Sequence, residues 1–141
     1  MAPTENDQPD LTEPAMRALL NQYISAFEES DVSALVGVLR EDIALEMPPH
    51  RTWFFGRTAV ARFLSTRVFG GPGAIRMIPT TANGQPAVAA YFRKADGQLW
   101  AHAVQVLTLT PTGISRIISF NESSLLPSFG LPPILAREAA G

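Results

Sequence analysis

Cysteine is absent from this 141-residue chain. That excludes a disulfide framework, a thiol nucleophile and a zinc-thiolate site, and it fits a reducing cytoplasm, the expected location. Histidine is scarce, with only two residues, His50 and His102, far apart and in no H-x-x-x-H pattern. A metal site is therefore poorly supported. Lys and Arg total 11 against 13 acids, a net charge of −2, and the basic residues form no cluster or stripe. A direct nucleic-acid footprint is not expected. No apolar run approaches the ~20 residues of a membrane span, and the polar, acidic start MAPTENDQPD is not a signal peptide. There is no G-x-S-x-G, no G-x-G-x-x-G and no P-loop, and no cofactor is expected.

What is present is a globular composition, 46% hydrophobic and 17% charged, in one domain's length of chain. Residues 1–10 read as a flexible tail or linker, 11–125 as the folded domain and 126–141 as a Pro-rich C-terminal extension. Thr12 is a candidate N-cap with Pro14 in the first turn, and Met16, Leu19, Leu20, Tyr23, Ile24 and Phe27 then form an apolar stripe at helical spacing. Asp31 caps a second, shorter helix with Val32, Leu35, Val36 and Leu39 inward. IALEMP reads as a short strand. Val60, Phe63, Leu64 and Val68 mark a third helix, closed by GGPG.

From residue 74 the period changes to two. Four strands, AIRMIPTTA, QPAVAAYFRKA, QLWAHAVQVLTLT and GISRIISFNE, are separated by the turn signals NG, DG and PTG. The fold class is α+β: a curved antiparallel sheet with three N-terminal helices packed on its concave face.

Few groups could carry chemistry. Alternation on the first strand turns Glu46 away from the core and Met47 into it. Glu46 shows neither the burial nor the charge partner that tunes a general base. His50 lies in a loop beside Trp53, Phe54 and Phe55, at a candidate pocket mouth. His102 sits mid-strand beside Trp100, where a structural or subunit-interface role outweighs a catalytic one. Tyr23 carries a hydroxyl on an apolar stripe and needs a partner. Gln105 shares a face with Leu99, Ala101, Ala103, Leu107 and Leu109, and Arg116 shares one with Ile114, Ile118 and Phe120. Each must be satisfied by protein, water or ligand.

Two helices, a strand ending in E-x-P, a third helix and a meander resemble the SnoaL-like and ketosteroid-isomerase-like superfamily, the cone-shaped fold of nuclear transport factor 2. The likeness spans roughly residues 12–122, and QYISAFEESDVSALVGVLREDIALEMP matches the family's opening. It implies an oxyanion-hole role for Tyr23. At the position of the isomerases' basic aspartate stands Met47, and at that of their second oxyanion donor stands Gln105. Loss of the base argues against the familiar isomerisation.

A narrower resemblance is carried by LEMPPHRTWFFGRTAVARFL, PTTANGQPAVAAYFR, AHAVQVLTL and FGLPP. These words look like the C-terminal SnoaL-like domain of certain ECF sigma factors, where it is thought to modulate the promoter- and core-binding regions. The chain has no such regions, and reads as an excised domain or a free-standing relative.

The leading expectation is a non-catalytic, regulatory module that binds a small apolar molecule. Its pocket would be lined by Tyr23, Phe27, Met47, Trp53, Phe63, Gln105, Ile118 and Phe120. The alternative is an isomerase or cyclase using Tyr23 and Gln105, with His50 or His102 as base. A third reading is a homodimer through the sheet face that carries Trp100 and His102. Sigma-factor core regions would be partners in a longer chain. Neither nucleic acid nor membrane is expected as a partner.

Overall fold

The computed structural model describes residues 12–49 and 53–135. Helix α1 (Glu13–Glu28) starts where the Thr12 hydroxyl accepts the Ala15 N–H at 3.2 Å. Its stripe turns Tyr23, Ala26 and Phe27 fully inward. Each large side chain so buried contributes about 1.5–3 kcal/mol of transfer free energy. Helix α2 (Val32–Val38) is capped by the Asp31 carboxylate, which accepts the Ala34 N–H at 3.1 Å. Leu35 and Val38 face inward; Val32, expected inward, is 40% exposed, and Leu39 already belongs to the next strand. With only seven residues the helix has no full apolar stripe to bury.

Strand β1 (Leu39–Glu46) pairs with the three-residue β2 (Trp53–Phe55). Helix α3 (Arg57–Phe63) runs into a π turn (Leu64–Val68) closed by Phe69 N–H to Leu64 O at 2.8 Å. The meander follows as β3 (Ile75–Ala82), β4 (Gln85–Arg93), β5 (Leu99–Thr110) and β6 (Gly113–Phe120). Pro79 is tolerated because β3 is an edge strand. Gly113 opens β6 with φ +129°, and a Cβ there would lie 2.8 Å from the Val38 carbonyl oxygen, so glycine is required.

The sheet order is β2-β1-β6-β5-β4-β3, and a short β7 (Ile134–Leu135) pairs with β5. The fold class is α+β, as expected. One pair departs from the expected antiparallel sheet: β1 and β6 run parallel. Nearly half of the chain separates these two strands, so no hairpin forces their directions to oppose.

Three helical segments cover the inner face of the curved sheet, where Tyr23, Phe27, Leu35, Ile43, Leu45, Val60, Leu107, Ile114 and Ile117 form one core. A second, smaller core lies on the outer face. There Ala87, Ala89, Tyr91, Leu99 and Val104 pack under Leu126 and the residues around it. The covering segment is a 3-10 turn (Ser123–Phe129) followed by β7. It is tied down by Tyr91 Oη donating to Pro132 O at 2.7 Å and Ala101 N–H to Pro133 O at 2.8 Å. The boundary read at residue 125 thus falls inside a packed segment.

Two bulges redistribute the faces. Ala90 pairs with Ala103 but Tyr91 with Ala101, leaving His102 as the extra residue on β5. Thr108 pairs with Arg116 but Leu109 with Ile114, leaving Ser115 extra on β6. Strict alternation fails across each. Leu99 and Ala101 belong to the outer core rather than to the Gln105 face, and Ile114 joins Ile117 inside while Arg116, Ile118 and Phe120 turn the other way.

Candidate functional site

A cavity of about 230 Å³ opens between the inner face of the sheet and the helices. Ala90 and Ala103, small and buried, leave the space above the sheet unfilled. Phe27 from α1, Leu45 and Met47 from the end of β1, and Phe63, Leu64 and Val68 from α3 and its π turn make the walls. Met77 and Phe92 complete them. Aromatic contacts hold the walls: Phe27 packs between Tyr23 and Phe69, at ring-centroid distances of 4.7 and 5.0 Å. Phe63 stacks on Phe54 at 4.5 Å.

Polar groups enter at few points. Tyr23 is fully buried behind the wall and donates its hydroxyl to Gln105 Oε1 at 2.5 Å. Burial raises its pKa well above the ordinary phenol value, so the proton stays on Tyr23 and the direction of the bond is fixed. Gln105, 5% exposed, lines the cavity with its acceptor so occupied. Its amide nitrogen has no hydrogen-bond partner among the described residues and is left as a donor to the cavity. Ser119 donates to Asn121 Oδ1 at 2.7 Å, and both line the cavity.

Arg67 and His102 complete the rim. The imidazole stacks on Phe92 at 4.0 Å. Partial burial, with Lys94 as a second cause, holds the His102 pKa below its ordinary value, so the ring is neutral near pH 7. No Asp or Glu lines the cavity, and no group of three potential metal ligands occurs among the described residues.

Of the side chains expected to line a pocket, Phe27, Met47, Phe63 and Gln105 do so, with Tyr23 directly behind Gln105. Trp53 does not: it lies on edge strand β2, 61% exposed. Ile118 and Phe120 do not either. The β6 bulge turns them to the outer face, where they line a separate groove with Val104, Val106 and Phe129. His50 lies outside the described residues. Glu46 points away from the cavity as expected, but it does have a charge partner, Arg116, across the parallel β1/β6 pair. Trp100 pairs in register with Phe92, so the face carrying Trp100 and His102 is the cavity side of the sheet.

Arg67, Ser119, Met77 and Phe92 were missing from the sequence reading. Arg67 was within reach, because it lies three and four residues from Leu64 and Phe63 on the same helical segment. Ser119 was hidden by the bulge.

No family model matches the chain. Over 123 residues, 86% of its length, it is 36% identical to the ECF RNA polymerase sigma factor SigG of Mycobacterium tuberculosis. It spans about a third, 33%, of that relative's length. Among solved structures it is similar to an NTF2-like protein of unknown function from Burkholderia xenovorans. That match has a TM-score of 0.64 and 14% identity, and it covers 79% of this chain and 85% of that one. It is also similar to SalBIII, an epoxide hydrolase/cyclase-like enzyme of pyran-ring formation in salinomycin. There the TM-score is 0.61 and the identity 22%, over 82% of this chain and 96% of that one. The chain has the NTF2-like fold and is similar in sequence to one third of an ECF RNA polymerase sigma factor.

Proposed function

We propose that this domain is a non-catalytic, ligand-binding regulatory module of the ECF sigma-factor type, and that its ligand is a small apolar molecule carrying a hydrogen-bond acceptor. One observation carries the reading: the buried Gln105 amide, its oxygen held by Tyr23, presents a donor to an otherwise apolar cavity. A wholly apolar occupant would leave that donor unpaired, at a cost of about 1–3 kcal/mol. A ketone or ester oxygen satisfies it. Met47 occupies the wall where a proton-abstracting carboxylate would stand in the isomerases, so the cavity lining supplies a hydrogen bond without a carboxylate base. Sigma-factor regulation rests on the likeness to SigG.

Thermal denaturation with 2-octanone tests the binding claim. Saturation at a hundred times Kd stabilises a one-site protein by about 2.7 kcal/mol. Wild type is expected to show such a shift and Ala103→Leu, which fills the cavity, to lose it. Equal shifts in both would refute the site.

One observation favours a second reading, an isomerase or cyclase: His102 lines the same cavity as Gln105. A neutral imidazole beside an oxyanion donor could exchange protons next to a carbonyl. Deuterium incorporation into 2-octanone, catalysed by wild type and abolished in His102→Ala, would favour it over the binding module.

A further inference from the structure

The cationic side chains are not equally engaged. Among the described residues, Arg17, Arg40, Arg57, Arg76 and Arg116 each pair with a carboxylate. Arg93 donates to the Gly73 and Gly97 carbonyls, and Lys94 lies over the Trp100 ring at 4.8 Å. Arg62 and Arg67 make no ion pair or side-chain hydrogen bond with a described residue, and of these two only Arg67 lines the cavity. The π turn places it there: the 2.8 Å bond from Phe69 N–H to Leu64 O closes a wider loop than an α turn, and Leu64, Arg67 and Val68 all reach the cavity.

Among the described residues, no carboxylate lines the cavity to neutralise that guanidinium. The other titratable group on the described lining is His102, whose imidazole is neutral near pH 7. Arg67 therefore carries the charge on the described lining, while Lys94 and its neighbour Asp96 lie outside it. Further in, the surface is apolar except for the Gln105 donor and the Ser119–Asn121 pair. Such an arrangement discriminates by charge at the entrance and by shape inside.

We propose that the ligand is an apolar carboxylic acid, seated with its carbon chain in the cavity and its carboxylate against Arg67. The proposal rests on the binding reading above and adds the ligand's charge and orientation to it. The cavity holds roughly eight water-sized groups at ~30 Å³ each, which suits eight-carbon probes.

The test is calorimetric titration of the chain with 7-oxooctanoate, octanoate and 2-octanone. The oxo acid is expected to bind about ten-fold more tightly than the ketone, the order of one charge-assisted contact. Arg67→Gln is expected to bring that ratio close to one, by weakening the oxo acid far more than the ketone. Arg67 is exposed, so the variant keeps the fold, and an unchanged melting temperature verifies this. Gln105→Leu is expected to weaken the oxo acid about ten-fold and octanoate little, which separates the two ends of the ligand. Ketone and oxo acid binding equally, or an acid preference that survives Arg67→Gln, would overturn the proposal and leave the pocket reading standing. Failure of all three probes to bind would overturn both.

Discussion

The outer face of the sheet is covered in part by the chain's own residues 123–135, which leave an open groove beside Phe129, whereas the inner face, covered by three helical segments, keeps a more enclosed cavity of about 230 Å³. Both faces hold a fully buried tyrosine. Tyr91, outside, donates to a backbone carbonyl of the covering segment and so fastens it. Tyr23, inside, donates to a side-chain amide and so turns the amide's other end toward open space. The same residue type closes one surface and prepares the other. The outer tyrosine serves the packing of the covering segment; on the proposed reading, the inner one serves an enclosed vacancy with an oriented donor.

The largest effect should come from loosening the segment that covers the outer face. Leu126→Ala removes a fully buried side chain from the outer core and is expected to cost about 2–5 kcal/mol in denaturant unfolding. An effect near zero would mean that the segment contributes nothing to the fold. The two tyrosines give the next comparison. Tyr23→Phe leaves the buried Gln105 oxygen unpaired and is expected to cost about 1–3 kcal/mol. Tyr91→Phe leaves a carbonyl of exposed Pro132, which water can reach, and should cost about 0.5–1.5 kcal/mol. Adding Gln105→Leu to Tyr23→Phe should recover most of the loss, because both polar partners are then gone. Reversal of the tyrosine order would break the comparison.

A smaller effect concerns pH. His102 has a folded pKa below its ordinary value of 6.5, so between the two values the unfolded chain binds more protons. Its contribution is full above pH 6.5, declines as pH falls below that, and is wholly lost below the lowered folded value. Wild-type stability should therefore fall more steeply over that window than that of His102→Gln, measured by denaturant unfolding at a series of pH values. Parallel profiles would place the ring in water rather than against Phe92. The smallest effect is expected at the exposed edge: Trp53→Ala should change stability by no more than about 0.5 kcal/mol.

Much of this division was legible in the sequence. The Thr12 cap and the stripe through Tyr23 and Phe27 specify α1, because helical spacing and capping are local properties. The alternation in the meander specifies strands for the same reason. Gln105 and Tyr23 stood out as polar groups on apolar faces, and they are each other's partners. Their bond spans 82 residues, and nothing local encodes it. The extra residues His102 and Ser115 escaped notice because a bulge leaves composition unchanged while inverting every face beyond it. That is why Ile118 and Phe120 were read onto the wrong side. The outer covering was obscured by its prolines, which suppress periodicity; it is held by the carbonyls of Pro132 and Pro133, which need no pattern. The Glu46–Arg116 pair depends on the parallel β1/β6 register, which strand alternation within β1 does not reveal.

The central claim is that the vacancy on the inner face is the ligand site. The chain's methionines offer a direct probe. Met47 and Met77 line the cavity, while Met16 lies near the start of α1 and away from it. With methyl-labelled methionine, NMR titration with 7-oxooctanoate should shift the Met47 and Met77 signals along saturable curves sharing one Kd, with Met16 unmoved. Saturation that moves neither cavity methyl, or moves Met16 equally, would contradict the account.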